Sequence, residues 1–337
     1  MDEAKGLKNI PWFLNPRFDI ILLIGFPVAL ILPLNGYFYT HMPRFSFYEY
    51  SAFNFPHVIS GLSIIYLFQK EECKRHPAIF LIIPCAIFIV TIILYYLGHS
   101  RGISIIRFYW GAWHIFIQSL YILGFYKLIS HDSSGIDKIT DSLVLIALMI
   151  FLFFFFSSFL AHAAGWTALT YLLGHFQKWA VFLILFIVTA FIARQVYLYL
   201  RWKKVYFFKI LYMTMLLVVY AVPFKLFKNI LFTYWIVINL HNIQYVAWVW
   251  FYYQKKFRGQ IVDRARLISY LARPPKVVLY FFALMVASAL FNFGGEYVLG
   301  VKALKGIKNA LAYVHFFLDG RIWALPGIRS VIYQTAD

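Results

Sequence analysis

The sequence predicts an all-α, polytopic transmembrane helix bundle of about nine or ten spans, and three observations predict it. Of 337 residues, 63% are hydrophobic and only 13% are charged, with a mean hydropathy of +0.74. A water-soluble domain could not hide so much apolar surface. Apolar runs of spanning length recur along the chain, each near the ~20 residues that a helix needs to cross roughly 30 Å of hydrocarbon. Lys and Arg gather in the short connections between those runs, where they fix topology and meet anionic headgroups.

In chain order, the runs fall at about 18–40, 51–69, 78–98, 105–128, 141–163, 178–200, 207–223, 230–253 and 277–299. The 207–223 run is short and ends at Pro223, so a tilted, broken or re-entrant segment is expected there. A tenth segment, 303–325, carries Lys305, Lys308, His315, Asp319 and Arg321. It can span only with its polar residues buried among other helices. The whole of 1–337 reads as one domain without internal repeats. The segment 1–17 is polar, with Asp2 and Glu3, and does not read as a cleavable signal.

Net charge is +18, from 31 Lys and Arg against 13 Asp and Glu. No aromatic–basic pattern of a nucleic-acid module accompanies it, so the charge is assigned to membrane topology. The connections 1–17, 70–77, 127–140, 201–206 and 254–276 are basic and alternate ones are poorer, which places the N-terminus and the 254–276 loop in the cytoplasm. A multi-pass protein of a bacterial inner membrane is the expectation. Within 259–273, Ile261, Leu267, Ile268 and Leu271 give one apolar side to a short interfacial helix, or else the segment is a solvated basic loop. Cys73 and Cys85 are the only cysteines and make neither a disulfide framework nor a thiolate metal site.

The chain holds ten histidines. His41, His76 and His131 fall in connections, and His99, His162 and His175 near predicted helix ends. Four others lie inside apolar runs: His57, His114, His241 and His315. Each sits on an even-numbered run, entered from the non-cytoplasmic side, about six, nine, eleven and twelve residues in. At ~1.5 Å of rise per residue they share a slab roughly 9 Å deep. Four imidazoles at one depth on four helices is the arrangement of a metal centre in a bundle.

Each of these histidines has a polar residue on its own helix face: Asn54 for His57, Gln118 for His114, Gln244 for His241 and Asp319 for His315. Such residues fix the tautomer of a ligating imidazole, or they satisfy a lone buried one locally. Asp319 is expected to orient His315 or to pair with Arg321 or Lys308, ahead of ligating the metal itself, and Tyr245 to supply a proton or a hydrogen bond near His241. Pro56, before His57, is expected to open its helix beside the ligand. Neutral nitrogen ligands suit iron, copper or zinc, and iron is preferred for oxygen chemistry in an apolar cavity.

The pattern Pro56-His57, Trp113-His114 two helices on, and single histidines in later helices resembles the bacterial membrane-embedded beta-carotene dioxygenases. That resemblance, at motif level, implies one iron held by histidines from several transmembrane helices. The chain departs from the family after the Pro-His pair, where Val58-Ile59-Ser60-Gly61 contains no acid, and the substrate is not carried over. Clustered HxxxH and HxxHH motifs of membrane di-iron desaturases are missing from the sequence. Three functions are compatible with these residues: a histidine-ligated non-heme oxygenase or oxidase acting on a lipid or isoprenoid, a b-type heme electron carrier, or a proton-coupled transporter. The expected partners are a hydrophobic substrate, membrane lipids and an electron-donor protein.

Overall fold

A computed structural model describes residues 16–23, 25, 43–130, 132, 135–226, 230–326, 328 and 331. His41, His131, most of the 18–40 run and nearly all of the 1–17 segment lie outside them. After a short helical segment at 16–23, the main helices are α1 (Pro43–Phe68), α2 (Lys70–Arg75), α3 (Ile83–Tyr96), α4 (Ser100–Ile129), α5 (Gly135–Ala163), α6 (Thr167–Trp202), α7 (Phe207–Leu226), α8 (Ile230–Phe257), α9 (Arg266–Leu271) and α10 (Val277–Ile322). Among the described residues every regular element is helical. Four helical stretches, Ala78–Tyr96, Gly135–His162, Thr167–Trp202 and Val277–Ile322, are long and apolar enough to cross a membrane. The sequence carries no boundary signal, yet packing groups the chain into two compact units.

Unit one comprises Met1–Leu32 with Ile115–Val237. Its α5 and α6 pack along one another, joined by a turn in which Gly165 takes φ +77°, a conformation that costs glycine nothing. Most of α6 is exposed apolar surface, including Trp179, Phe182 and Phe186, as suits a helix bathed in lipid. The 207–223 run is a continuous helix that extends through Pro223, so it is not broken. The ends of these helices are tied by charge. Lys209 Nζ lies 2.7 Å from Asp132 Oδ2, and Lys127 Nζ lies 2.6 Å from Asp141 Oδ2. Arg194 grips Asp137 through both carboxylate oxygens, at 2.9 and 3.2 Å. The 127–140 connection, read from sequence as a basic loop, thus turns its two aspartates, Asp132 and Asp137, inward, together with the adjoining Asp141.

Unit two comprises Pro33–His114 with Ile238–Asp337. Its core is α8, buried at every position from Ile238 to Tyr253 except Ile243. A helix buried all round can carry Asn239, His241, Asn242 and Gln244 only because its neighbours, not lipid, surround them. Helix α1 runs unbroken through Pro56, so the expected opening beside His57 does not occur.

Helix α10 has 46 residues, which as a straight rod would reach ~69 Å, about twice a bilayer. It instead breaks at Gly300, with φ 80° and ψ 158°. Phe55 stacks on Phe291 at 4.0 Å while His57, half a turn on, meets His315 at 2.7 Å. A methyl group on Gly295 would touch Leu304 Cδ1 at 2.9 Å, a distance that ~13.5 Å of helical rise would forbid. The two arms therefore fold back on each other, and the ninth and tenth apolar runs are separate arms as read. Lys305 and Arg321 of the second arm are exposed, whereas His315 and Asp319 are buried.

Helix α9 forms within 259–273, preceded by a single 3-10 turn at Asp263–Ala265. Ile261, before the helix, and Leu267, on it, are exposed, which fits either the interfacial helix or the solvated loop. Leu271 is not: it is buried, and its carbonyl accepts a hydrogen bond of 3.0 Å from Trp250 Nε1. That bond closes the helix onto unit two, so Leu271 packs against protein.

Candidate metal centre

Unit two brings His57 from α1, His114 from α4, His241 from α8 and His315 from α10 to one place. Their ring centroids lie 4.4–5.5 Å apart in the measured pairs of His57 with His315, His241 and His114. All four side chains are buried. The other histidines of the described residues, His76, His99, His162 and His175, are exposed, and His175 turns its Nδ1 to the Tyr171 carbonyl at 3.1 Å.

Three of the four point the same atom at the same spot. His57 Nε2 is 2.7 Å from His315 Nε2 and 3.3 Å from His114 Nε2, and His114 Nε2 is 3.3 Å from His315 Nε2. A hydrogen bond joins two nitrogens through one proton, so it accounts for one edge of this triangle and not for three. A point about 1.1 Å out of the triangle's plane lies about 2.1 Å from all three nitrogens, the length of a metal–imidazole bond. His241 stands beside them, with ligand atoms of His57, His114 and His241 all within 4.8 Å of one another.

Asp319 backs this arrangement from the other side of a ring. Its Oδ2 is 3.4 Å from Nδ1 of His114, the nitrogen opposite the point of convergence. Its Oδ1 accepts hydrogen bonds from the Tyr245 hydroxyl and, at 2.9 Å, from Trp323 Nε1. The expected pairing of Asp319 with His315 or Arg321 is thus replaced by a pairing with His114, a residue of a different helix. Asp319 is 1% exposed, and both hydrogen-bond donors are neutral. A buried carboxylate held only by neutral donors is costly; a divalent cation behind the His114 ring would offset that cost.

Tyr245, expected beside His241, gives its proton to Asp319 and lays its ring 4.2 Å from that of His57. It bridges the carboxylate to the triad. Gln244 is buried in the core of α8, and Gln118, one turn beyond His114, is buried within unit one. Asn54 is half-buried and lines a cavity with Phe55 and Val58, which none of the four histidines lines.

Sequence reasoning missed Gly61, one turn beyond His57. A methyl group there would lie 2.5 Å from the Tyr245 hydroxyl and 2.8 Å from His315 Nδ1. Both neighbours are pinned, so neither can retreat. Gly61→Ala is expected to cost about 1–3 kcal/mol as an over-packed contact, and to weaken metal retention by displacing His315. Thermal unfolding and metal content, measured on one preparation, check this; no change in either would contradict the close approach.

Comparisons with protein-family models, curated proteins and solved structures found no match.

Proposed function

We propose that the chain is a multi-pass membrane protein whose buried histidines hold a non-heme metal ion, iron by preference, for oxygen chemistry on a hydrophobic substrate. The observation that supports this reading is the triangle of Nε2 atoms 2.7–3.3 Å on a side. Three nitrogens on one side of an ion leave the opposite positions open to substrate, water or oxygen. Iron, when bound, would supply oxygen binding and activation.

The protein's own residues do the rest. Asp319 Oδ2, 3.4 Å from Nδ1 of His114, would favour the tautomer protonated there, which leaves the Nε2 lone pair facing the centre. Tyr245 and Trp323 fix the carboxylate with two directed donors. The all-round burial of α8 keeps bulk water from the histidines. The basic 254–276 loop faces the cytoplasm in this reading, and an electron donor would dock from that side.

The geometry disfavours the heme alternative. Axial ligands of a heme stand on opposite faces of the ring, with nitrogens about 4 Å apart across the iron. The three Nε2 atoms here are closer than that. In anaerobic, ferrous-loaded protein, electron paramagnetic resonance is expected to show nitric oxide, an oxygen surrogate, bound to iron. A Soret band, or iron that takes up no nitric oxide, would overturn the reading.

A further inference from the structure

The metal reading uses the hydroxyl of Tyr245 and the indole N–H of Trp323 only as donors to Asp319. Their rings belong to a longer series. The Tyr245 ring lies 4.2 Å from that of His57 and 5.4 Å from that of His315, centroid to centroid. It also meets Trp323 edge-on at 5.6 Å. Trp323 lies 5.7 Å from Trp248, and Trp248 stacks on Phe251 at 5.8 Å with 16° between the planes. Lys255 Nζ stands 5.3 Å from the Phe251 ring. The series thus starts at the histidines and runs to the basic end of α8, seven residues beyond Trp248, or ~10.5 Å along the axis. Tyr245, Trp248 and Trp323 are each 3% exposed or less.

Packing alone does not call for these residue types. Phe is the commonest aromatic of the chain, at 37 against 25 Tyr and 10 Trp, and it fills apolar space with no polar atom to satisfy. Tyrosine and tryptophan are the aromatic side chains that give up one electron most readily. Two of the three here also donate to one carboxylate oxygen, Asp319 Oδ1. A phenol that has lost an electron is a strong acid and must pass its proton to a base at once, and Asp319 is that base. The hydroxyls of Tyr252 and Tyr253 instead meet an amide, Gln69 Nε2 at 3.1 Å, and an alcohol, Ser63 Oγ at 2.6 Å, neither of them a base.

We infer that Tyr245, Trp323 and Trp248 form a one-electron relay between the histidine centre and the basic end of α8. When Tyr245 gives one electron to the centre, its O–H bond breaks. The proton forms the O–H bond of the Asp319 carboxylic acid, and a neutral phenoxyl radical remains. An electron from Trp323 and the same proton then restore the phenol and the carboxylate. Trp323 is left as a radical cation, hydrogen-bonded to that carboxylate. Trp248 refills Trp323, and a one-electron donor protein at the basic end of α8 refills Trp248. One electron has crossed, and the proton has stayed between Tyr245 and Asp319. Inward flow to a metal rests on the metal reading; the path itself does not.

The test drives the path in reverse with light. Zinc, which nitrogen ligands accept and which has no redox chemistry, replaces any native metal in the full chain in neutral detergent. Cys85→Ser removes the exposed cysteine, and Lys255→Cys carries a tris(bipyridine)ruthenium label. Light with an irreversible cobalt(III) acceptor oxidises the label to ruthenium(III), which draws one electron out through the relay. Electron paramagnetic resonance of frozen samples is expected to show a tyrosyl radical. Tyr245→Phe should lose it. Trp248→Phe should lose it too, although a packed ring remains. Trp323→Phe and Asp319→Asn should each replace it with a tryptophanyl radical, the first because the path stops at Trp248, the second because the phenol has no base. Trp250→Phe, off the path with its Nε1 on the Leu271 carbonyl, should leave the tyrosyl signal unchanged. No tyrosyl radical in the labelled parent protein, or an equal one in Tyr245→Phe, would overturn the relay. So would an undiminished signal in both Trp248→Phe and Trp323→Phe. Metal per chain is measured before the exchange. A Tyr245 radical in protein that purifies with only trace metal would sink the metal reading and leave the relay standing; full metal with no radical would do the reverse.

Discussion

Lys209→Met is expected to destabilise unit one by about 3–5 kcal/mol, because it leaves buried carboxylates without their cation. Lys209 is fully buried and its Nζ lies 2.7 Å from Asp132 Oδ2 and 3.4 Å from Asp141 Oδ2. Lys127 remains near both carboxylates, at 3.6 and 2.6 Å, but one ammonium cannot neutralise two. The unfolding midpoint in detergent should fall by on the order of 10 °C. Adding Asp132→Asn to the same protein removes the unbalanced charge, and should recover part of the loss. An unchanged midpoint in the single variant would mean that the network contributes nothing to folding. Both variants should leave the metal content of unit two unchanged, since every residue of that site lies outside unit one.

This network also marks where the sequence ceases to be legible. Lys127, Asp132, Asp137 and Asp141 lie in a stretch whose composition is that of a solvated connection. Only the burial of Lys209 and the placement of Arg194, 53 or more residues away in the chain, make it a core feature. Composition reports how polar a segment is, and says nothing of which distant cation covers it.

The histidine cluster was legible for the opposite reason. An imidazole inside an apolar run must face protein, and counting residues from the run's start measures its depth. His57, His114, His241 and His315 could therefore be placed in one slab without knowing which helices adjoin. The partners of Asp319 on other helices could not be placed, because spacing along α10 offers only neighbours on that helix, Trp323 among them, while His114 and Tyr245 come from α4 and α8. Gly61 left no signal beyond being a glycine in a helix. Its role depends on the approach of α8 and α10 to the α1 backbone, which is a property of packing. Leu271 misled for a related reason: amphipathic spacing shows that one side of α9 is apolar, without showing whether lipid or Trp250 receives it.

The central claim is that the convergent histidines hold a metal, and the direct measurement is metal per chain after gentle, chelator-free purification. For the wild type the account predicts close to one transition-metal ion per chain. His315→Ala and His57→Ala each remove one corner of the Nε2 triangle, so both are expected to lose nearly all of it. Asp319→Asn keeps the side chain's size and its bonds to Tyr245 and Trp323, but loses the carboxylate behind His114. It should weaken metal binding by about 10–100-fold while leaving the unfolding midpoint of the metal-free protein close to that of the wild type. Arg321→Gln alters an exposed side chain and should leave metal content alone. Near-stoichiometric metal in the wild type, lost in His57→Ala and His315→Ala, is the predicted result; only trace metal in the wild type, or full occupancy in His315→Ala, would contradict it.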